Sequence, residues 1–305
     1  MGTDLVDGFQ DVRPLALRWE QGRWTTTPQP MQTNSSLESV VVVGANDVWA
    51  VGEDRTDPMA SKPLVMHWNG RKWKVVPGPA VPAGSFDDVA AGPDGAIWAT
   101  GWARVDGQEH AVVYKYVGGA WKALTNGLEQ SINGNALSII SANDAWLGLN
   151  AGLAHYDGKT WKLVSDVPTD GSQIPIALKA AGPKDIWFVG VHHTVDGERP
   201  LALHYDGVSW KPVSTPDEAA QLYDVALYKG RPVAVGERFE ETGNSLVAKP
   251  VVMRFNGSKF VRAASPAGAE GTLTSADVSG GRLWTAGLVF TPAEADPSAF
   301  AAFAE

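Results

Sequence analysis

Histidine, carboxylate and guanidinium side chains gather in a few short segments of this chain. His192-His193 is followed by Glu198-Arg199, and Glu237-Arg238 by Glu240-Glu241. A histidine beside a carboxylate can move a proton near neutral pH, and an arginine close by can hold an anion. Read as an enzyme site, His192 or His193 is the acid or base, Glu240 its partner, and Arg199 or Arg238 the anion holder. Neighbouring residues in a strand point to opposite faces, so the two histidines do not chelate one metal together. The acidic run is equally what a solvated loop carries.

A second set of residues suits binding without chemistry. It comprises Trp102, Arg104, His110, His193, Tyr223, Phe239 and Asp88. Aromatic faces stack on sugar rings, and carboxylates accept hydrogen bonds from hydroxyls. Trp102 follows Gly101 and falls outside the recurring pattern described below, which sets it apart from the other tryptophans. Asp87-Asp88 and Tyr223-Asp224 occupy equivalent places in two repeats. A carboxylate there suits a sugar hydroxyl, and a structural calcium is compatible with it. No EF-hand loop, HExxH, GxSxG or P-loop occurs, and no GxGxxG follows a strand in a βαβ unit. No metal ligand is assigned and no cofactor is expected.

These segments need elements to hold them. The chain has 305 residues, 44% apolar and 19% charged, with 33 glycines and 20 prolines. A large core is affordable, and closed all-β folds often run this long as one domain. The formal net charge of −9 argues against a nucleic-acid footprint and against docking on anionic lipid. With no cysteine, disulfides, thiolate chemistry and Cys-ligated zinc are removed together. No apolar run approaches a membrane span. The first residues lack the basic and apolar regions of a signal peptide.

Two patterns recur. The first is an apolar strand carrying Trp-x-x-Gly, as in Val48-Trp49-Ala50-Val51-Gly52, Ile97-Trp98-Ala99-Thr100-Gly101 and Ile186-Trp187-Phe188-Val189-Gly190. The second is aromatic, Asn or Asp, Gly, two residues, aromatic, as in Trp68-Asn69-Gly70-Arg71-Lys72-Trp73 and Tyr156-Asp157-Gly158-Lys159-Thr160-Trp161. The closing aromatics fall at 24, 73, 121, 161, 210 and 260. Each repeat reads as four antiparallel strands, A to D, with Asn-Gly turning the C–D hairpin. A period of this length is that of one propeller blade.

The expected fold is therefore all-β, a six-bladed β-propeller forming a single domain over 1–305, with seven blades the lesser alternative. Blades are expected near 39–78, 86–125, 136–165, 176–214 and 222–263. The sixth combines 273–290 with 14–27, so that N-terminal C and D strands pair with C-terminal A and B strands. The segment 299–305 is left as a third strand of that blade or a tail. The recurring tryptophans read as packing between blades. His67, His155 and His204 recur at one strand-C position and read as structural.

The WNGxxW and NDVWAVG repeats resemble secreted bacterial Trp-rich β-propeller repeats, and more distantly the kelch and Asp-box propellers. Trp-rich propeller lectins within this resemblance imply sugar sites. Long D–A and B–C connections, expected on one face, are the expected site, with B–C loops at 53–62, 102–110, 191–199, 237–249 and 288–297. The favoured function is a non-catalytic binding module for carbohydrate, a small molecule or a protein surface. The alternative is a hydrolase, lyase or cyclase with one asymmetric site on that face. No nucleic acid and no membrane insertion are expected. The chain reads as a monomer with an extracellular or cell-surface setting.

Overall fold

The computed structural model describes residues 2–6, 11–30, 33–57, 59–150, 152–169, 171–243, 245–265, 270–290 and 298–304. Among them every regular element is a β-strand. No helix is long and apolar enough to cross a membrane. Two hairpins come first, β1 (Gly2–Val6) with β2 (Asp11–Leu15) and β3 (Leu17–Glu20) with β4 (Arg23–Thr26). Blade 1 is β5 (Ser35–Gly44), β6 (Asp47–Asp54), β7 (Lys62–Trp68) and β8 (Trp73–Val75). Blade 2 is β9 (Gly84–Ala91), β10 (Ile97–Val105), β11 (Gln108–Val117) and β12 (Ala120–Ala123). Blade 3 is β13 (Gly134–Ser141), β14 (Asp144–Leu149), β15 (Gly152–Tyr156) and β16 (Trp161–Leu163).

Blade 4 is β17 (Gln173–Gly182), β18 (Asp185–Thr194), β19 (Gly197–Tyr205) and β20 (Trp210–Pro212). Blade 5 is β21 (Ala220–Tyr228), β22 (Arg231–Thr242), β23 (Ser245–Phe255) and β24 (Phe260–Arg262). A three-stranded sheet follows, β25 (Glu270–Ser279), β26 (Arg282–Phe290) and β27 (Ser298–Ala304). The chain divides into two compact units, residues 1–149 with 154–163 and residues 150–153 with 164–305.

The propeller thus has five four-stranded blades, which corrects the expected six or seven. The anticipated sixth blade fails at its third strand. The free edge of β26 is taken by β27 in a continuous register from Leu283↔Ala304 to Val289↔Ser298. That seven-residue ladder occupies the edge expected for the four-residue β3. β3 and β4 instead form their own two-stranded sheet. The N-terminal hairpins are fastened to blade 1. The backbone N–H of Trp73 donates to the Pro28 carbonyl and its indole N–H donates to Thr27 Oγ1, both at 2.9 Å. Ala16 is buried in the same cluster as Leu37, Trp68 and Trp73.

The repeating residues have repeating jobs. Trp49 donates its indole N–H to Asp47 Oδ1 at 2.8 Å, and His67 Nε2 meets the same oxygen at 2.8 Å. The imidazole lies over the indole with ring centres 4.4 Å apart. Trp187, Asp185 and His204 repeat this arrangement, with centres 4.1 Å apart. Blade 2 substitutes Lys115, whose ammonium sits 5.0 Å over Trp98 and 3.2 Å from Asp94. The histidines are structural, held within their own blade. The tryptophans also reach the next blade: Trp49 meets Tyr116 at 4.9 Å and Trp187 meets Phe255 at 4.7 Å. Aromatic pairs of this kind add about 1 kcal/mol each beyond burial.

The Gly of Trp-x-x-Gly does not end its strand. In blade 5 it sits opposite a β-bulge in strand A, between Leu222 and Asp224. A Cβ on Gly236 would lie 1.9 Å from the Gln221 carbonyl oxygen, and one on Gly52 2.1 Å from that of Ser36. The bulge brings backbone against backbone, and only glycine fits there.

Candidate functional site

Strand B continues past that glycine, and this re-forms the expected loops. Of the five B–C connections named above, three are hairpin arms, and residues 291–297 of the fifth lie outside the described residues. β10 and β11 pair out to Val105↔Gln108, β18 and β19 to Thr194↔Gly197, and β22 and β23 to Thr242↔Ser245. Asp106 and Gly107 turn the first arm with φ of 50° and 81°, a two-residue turn that matches strand twist. Trp102 therefore lies inside a strand, opposite Ser85 and Ala111. Its place, one residue past the glycine, is also that of Glu53 in blade 1 and Glu237 in blade 5. Arg55, Arg104, His193 and Phe239 share the place three past the glycine. Each donates its backbone N–H to the residue before strand A: Asn34, Ala83, Ser172 and Ala219, at 2.7–2.9 Å.

Blade 1 alone among these has an irregular B–C loop, and a cleft of about 520 Å³ opens beside it. Its walls are Trp102, Arg104 and Ala83 of blade 2, Glu53 and Arg55 of blade 1, and the loop residues around Met59. Met59 is 85% exposed, so the loop offers an apolar, adaptable contact. Arg55 Nε holds Glu53 Oε2 at 2.6 Å, and Arg104 Nη2 holds Glu109 across the arm at 3.1 Å. A half-buried indole flanked by two guanidinium groups and a carboxylate is amphipathic in composition. His110 stands on β11, its Nδ1 3.0 Å from the Glu129 carbonyl oxygen.

Asp87 and Asp88 face different tasks. Asp88 Oδ1 accepts from Ser39 Oγ at 2.7 Å and Oδ2 accepts from the Leu137 N–H at 2.7 Å. It ties strand A of blade 2 to those of blades 1 and 3. Asp224 does the same toward Ala276, at 2.8 Å. Asp87 is the bulge residue and accepts from Asn133 Nδ2 at 2.6 Å. Burial raises its carboxyl above the ordinary value, and the charges of Glu38 and Glu53 add to that.

In blades 4 and 5 the equivalent positions form a chain of polar contacts. His193 Nδ1 is 3.5 Å from Glu198 Oε1, its cross-strand partner. Gln221 Nε2 donates to Glu198 Oε2. The Tyr223 hydroxyl is 2.6 Å from Glu237 Oε1 and 3.1 Å from Gln221 Oε1. It has one proton, which goes to the shorter, charge-assisted bond. Burial and the Glu237 carboxylate raise the Tyr223 phenol well above its usual range.

The remaining expected residues have separate partners. His192 lies opposite Arg199, on the other face of β18 from His193. Arg199 Nε bonds Asp217 at 3.2 Å, and Arg238 bonds Glu240 on its own strand. Phe239 is half-buried opposite Ala248. The structure brings Trp102 and Arg104 into one cleft, and His193 and Tyr223 into one hydrogen-bonded chain. Sequence reading missed Gln221 in that chain and Asn34, Met59 and Ala83 around the cleft. Their one sequence signal is position: they flank the bulge and arm of each repeat.

No protein-family model matches the chain, and no curated protein sequence does. Solved structures do. The chain is similar to YjhT, with 11% identity and a TM-score of 0.54 over 90% of this chain and 98% of that one. It is similar to YCF48, solved bound to D1 peptide, with 13% identity and a TM-score of 0.59 over 91% and 84%. It also matches a third of the extracellular-domain chain of the one-component system BT4673 from B. thetaiotaomicron. That likeness has 9% identity and a TM-score of 0.55 over 87% of this chain. At these identities the likeness is one of fold, and the fold is that of a β-propeller.

Proposed function

We propose that this chain is a binding propeller and that the cleft beside the blade 1 loop takes an extended peptide segment of a partner protein. The observation that carries the reading is the cleft's wall. Trp102 and Met59 offer apolar contact, while Glu53, Arg55 and Arg104 offer charges of both signs. A peptide presents backbone dipoles and mixed side chains to such a surface, whereas a sugar site needs more hydroxyl acceptors around its ring. One structural neighbour was solved with a peptide bound, which supports this choice over carbohydrate. An extracellular or cell-surface setting belongs to the same proposal, supported by the neighbour that is an extracellular domain.

The test is a random-sequence peptide array probed with the wild-type chain and with Trp102→Ala. Removing a central aromatic anchor costs at least about tenfold in affinity. Peptides that bind the wild type and lose the variant support the reading. Equal binding by both, or no bound peptide beside a bound oligosaccharide on a glycan array, overturns it.

A further inference from the structure

Blades 4 and 5 enclose a second pocket, of about 420 Å³, between their A–B and C–D turns. That is the size of a small-molecule site. Its wall is aromatic, made by Trp187, His204 and Phe255. The His204 imidazole lies on the Trp187 indole, with centres 4.1 Å apart and planes 20° apart. Phe255 of blade 5 meets the same indole at 4.7 Å. Packing does not close this wall, since the His204 side chain is 26% exposed.

Comparison among the repeats shows what is unusual about the rim. In blades 1 and 3 the residue before the strand B aspartate is Asn46 or Asn143. Its short side chain lies over the C–D turn glycine, Gly70 or Gly158. Blade 4 has Lys184 there, and its stem crosses Gly207 in the same way. The ammonium is carried beyond it. Blade 5 makes the second exchange. Its strand B opens with Arg231, where blades 1, 3 and 4 open with Asp47, Asp144 and Asp185. Both exchanges bring a cation to this pocket.

The carboxylates at the rim already have partners. Asp185 Oδ1 accepts the Trp187 indole N–H at 2.7 Å and meets His204 Nε2 at 2.8 Å. Asp206 Oδ1 accepts from the Val208 and Ser209 N–H groups at 3.0 Å, and its Oδ2 from Lys211. Lys211 and those N–H groups hold its carboxyl well below the ordinary range. Among the described residues neither Lys184 nor Arg231 pairs with a carboxylate. The one bond of Arg231 is a long one, 3.5 Å from Nη1 to the Asn256 carbonyl oxygen. With Lys211, three cations stand around two engaged carboxylates. Guanidinium and ammonium groups bring only donors, which suits an oxyanion.

We propose that the seam between blades 4 and 5 is a second ligand site, for a small molecule with a flat apolar body and a carboxylate or phosphate group. Arg231 and Lys184 hold the oxyanion, and the aromatic wall takes the body. The pocket shares no residue with the blade 1 cleft, and the proposal stands apart from the peptide reading.

The experiment is a calorimetric titration of the full chain at low salt with phenyl phosphate, benzoate, inorganic phosphate and phenol. Phenyl phosphate or benzoate should bind more tightly than inorganic phosphate. Either should exceed phenol by at least about tenfold, the worth of one charge-assisted hydrogen bond. The tighter of the two tells phosphate from carboxylate. Lys184→Asn and Arg231→Gln should each weaken that binding several-fold, and added sodium chloride should weaken it too. Lys184→Asn installs the residue of blades 1 and 3, so its melting temperature should match the wild type. Trp102→Ala should leave this binding unchanged. Equal affinity for phenol and the two aromatic anions, or no binding of either anion, overturns the proposal. So does binding that survives both rim substitutions, or binding that Trp102→Ala abolishes, because the ligand then sits elsewhere.

Discussion

Blade 1 and blade 5 present the same backbone at the same place and fill it differently. In each, a bulge in strand A faces a glycine in strand B, and the next strand B residue is a glutamate: Glu53 or Glu237. The cross-strand partner of Glu53 is Ser36, and that of Glu237 is Gln221. The long amide of Gln221 reaches Glu198, and the Tyr223 hydroxyl closes on Glu237. The Ser36 hydroxyl has no hydrogen-bond partner among the described residues. Blade 5 holds its glutamate with its own tyrosine, whereas Glu53 of blade 1 pairs with Arg55 on the wall of the cleft.

The largest expected effect tests the shared backbone. Gly52→Ala and Gly236→Ala each force a Cβ into a carbonyl oxygen, at 2.1 Å and 1.9 Å. Overpacking of this kind costs about 3 kcal/mol, and urea unfolding should register a similar loss in both. A loss confined to one variant breaks the equivalence of the two blades.

Next comes blade 5. Tyr223→Phe removes the one proton donated to Glu237 and leaves a half-buried carboxylate short of a partner. A hydrogen bond to a charged group is worth about 1.5–3 kcal/mol when buried, and partial exposure puts this one near the lower end. Denaturant midpoints should fall accordingly, with peptide binding at the cleft unchanged. A binding loss in Tyr223→Phe without a stability loss would instead mark blade 5 as the site.

Much of this scaffold is legible in the sequence. The Trp-x-x-Gly pattern and the closing aromatics mark the blade period because each of those residues packs or pairs at a constant place in its blade. The WNGxxW turn is legible for the same reason: Gly70 takes φ of 88°, and Asn69 Oδ1 accepts from Arg71 and Lys72. The blade count is less legible. It depends on whether β27 or β3 wins the edge of β26, and that competition is long-range. The arms were misread as loops because their polar sequences hide the ladder, although Asp106-Gly107 is a hairpin turn signal. Trp102 and Arg104 were found as types of residue. Asn34 and Ala83 were not, because their place at the cleft follows from their position before strand A and not from their residue type.

The response to pH should separate two other places in the scaffold, Asp87 in blade 2 and Asp157 in the C–D turn of blade 3. The Asp87 carboxyl is raised by burial, so the folded state holds its proton at a pH where the unfolded chain has released it. Stability from this group is therefore lost as pH rises from the ordinary carboxylate value through the raised one. Asp87→Asn should gain on the wild type across that window, and the gap in melting temperature should be wider at neutral pH than in acid. Asp157 runs the other way. Lys162 and the backbone N–H groups of Thr160 and Lys159 hold it at about 2. Its contribution is present above the ordinary carboxylate value and is lost as pH falls toward about 2. A gap for Asp87→Asn that is constant with pH would remove the buried charge from the account of the blade 2 bulge.

The smallest effect belongs to the arms. Arg104 with Glu109 and His193 with Glu198 are equivalent cross-strand pairs, at 3.1 Å and 3.5 Å. His193 is 45% exposed on its side chain and Glu198 32%. An exposed ion pair is worth at most about 1 kcal/mol, and this one is long and needs a protonated imidazole. His193→Ala should shift the unfolding midpoint by less than about 0.5 kcal/mol and leave cleft binding intact. Arg104→Ala removes an equally modest pair yet should weaken peptide binding several-fold, because Arg104 lines the cleft. Equal effects of the two substitutions on binding would mean that lining the cleft does not set Arg104 apart from His193, and would break the comparison.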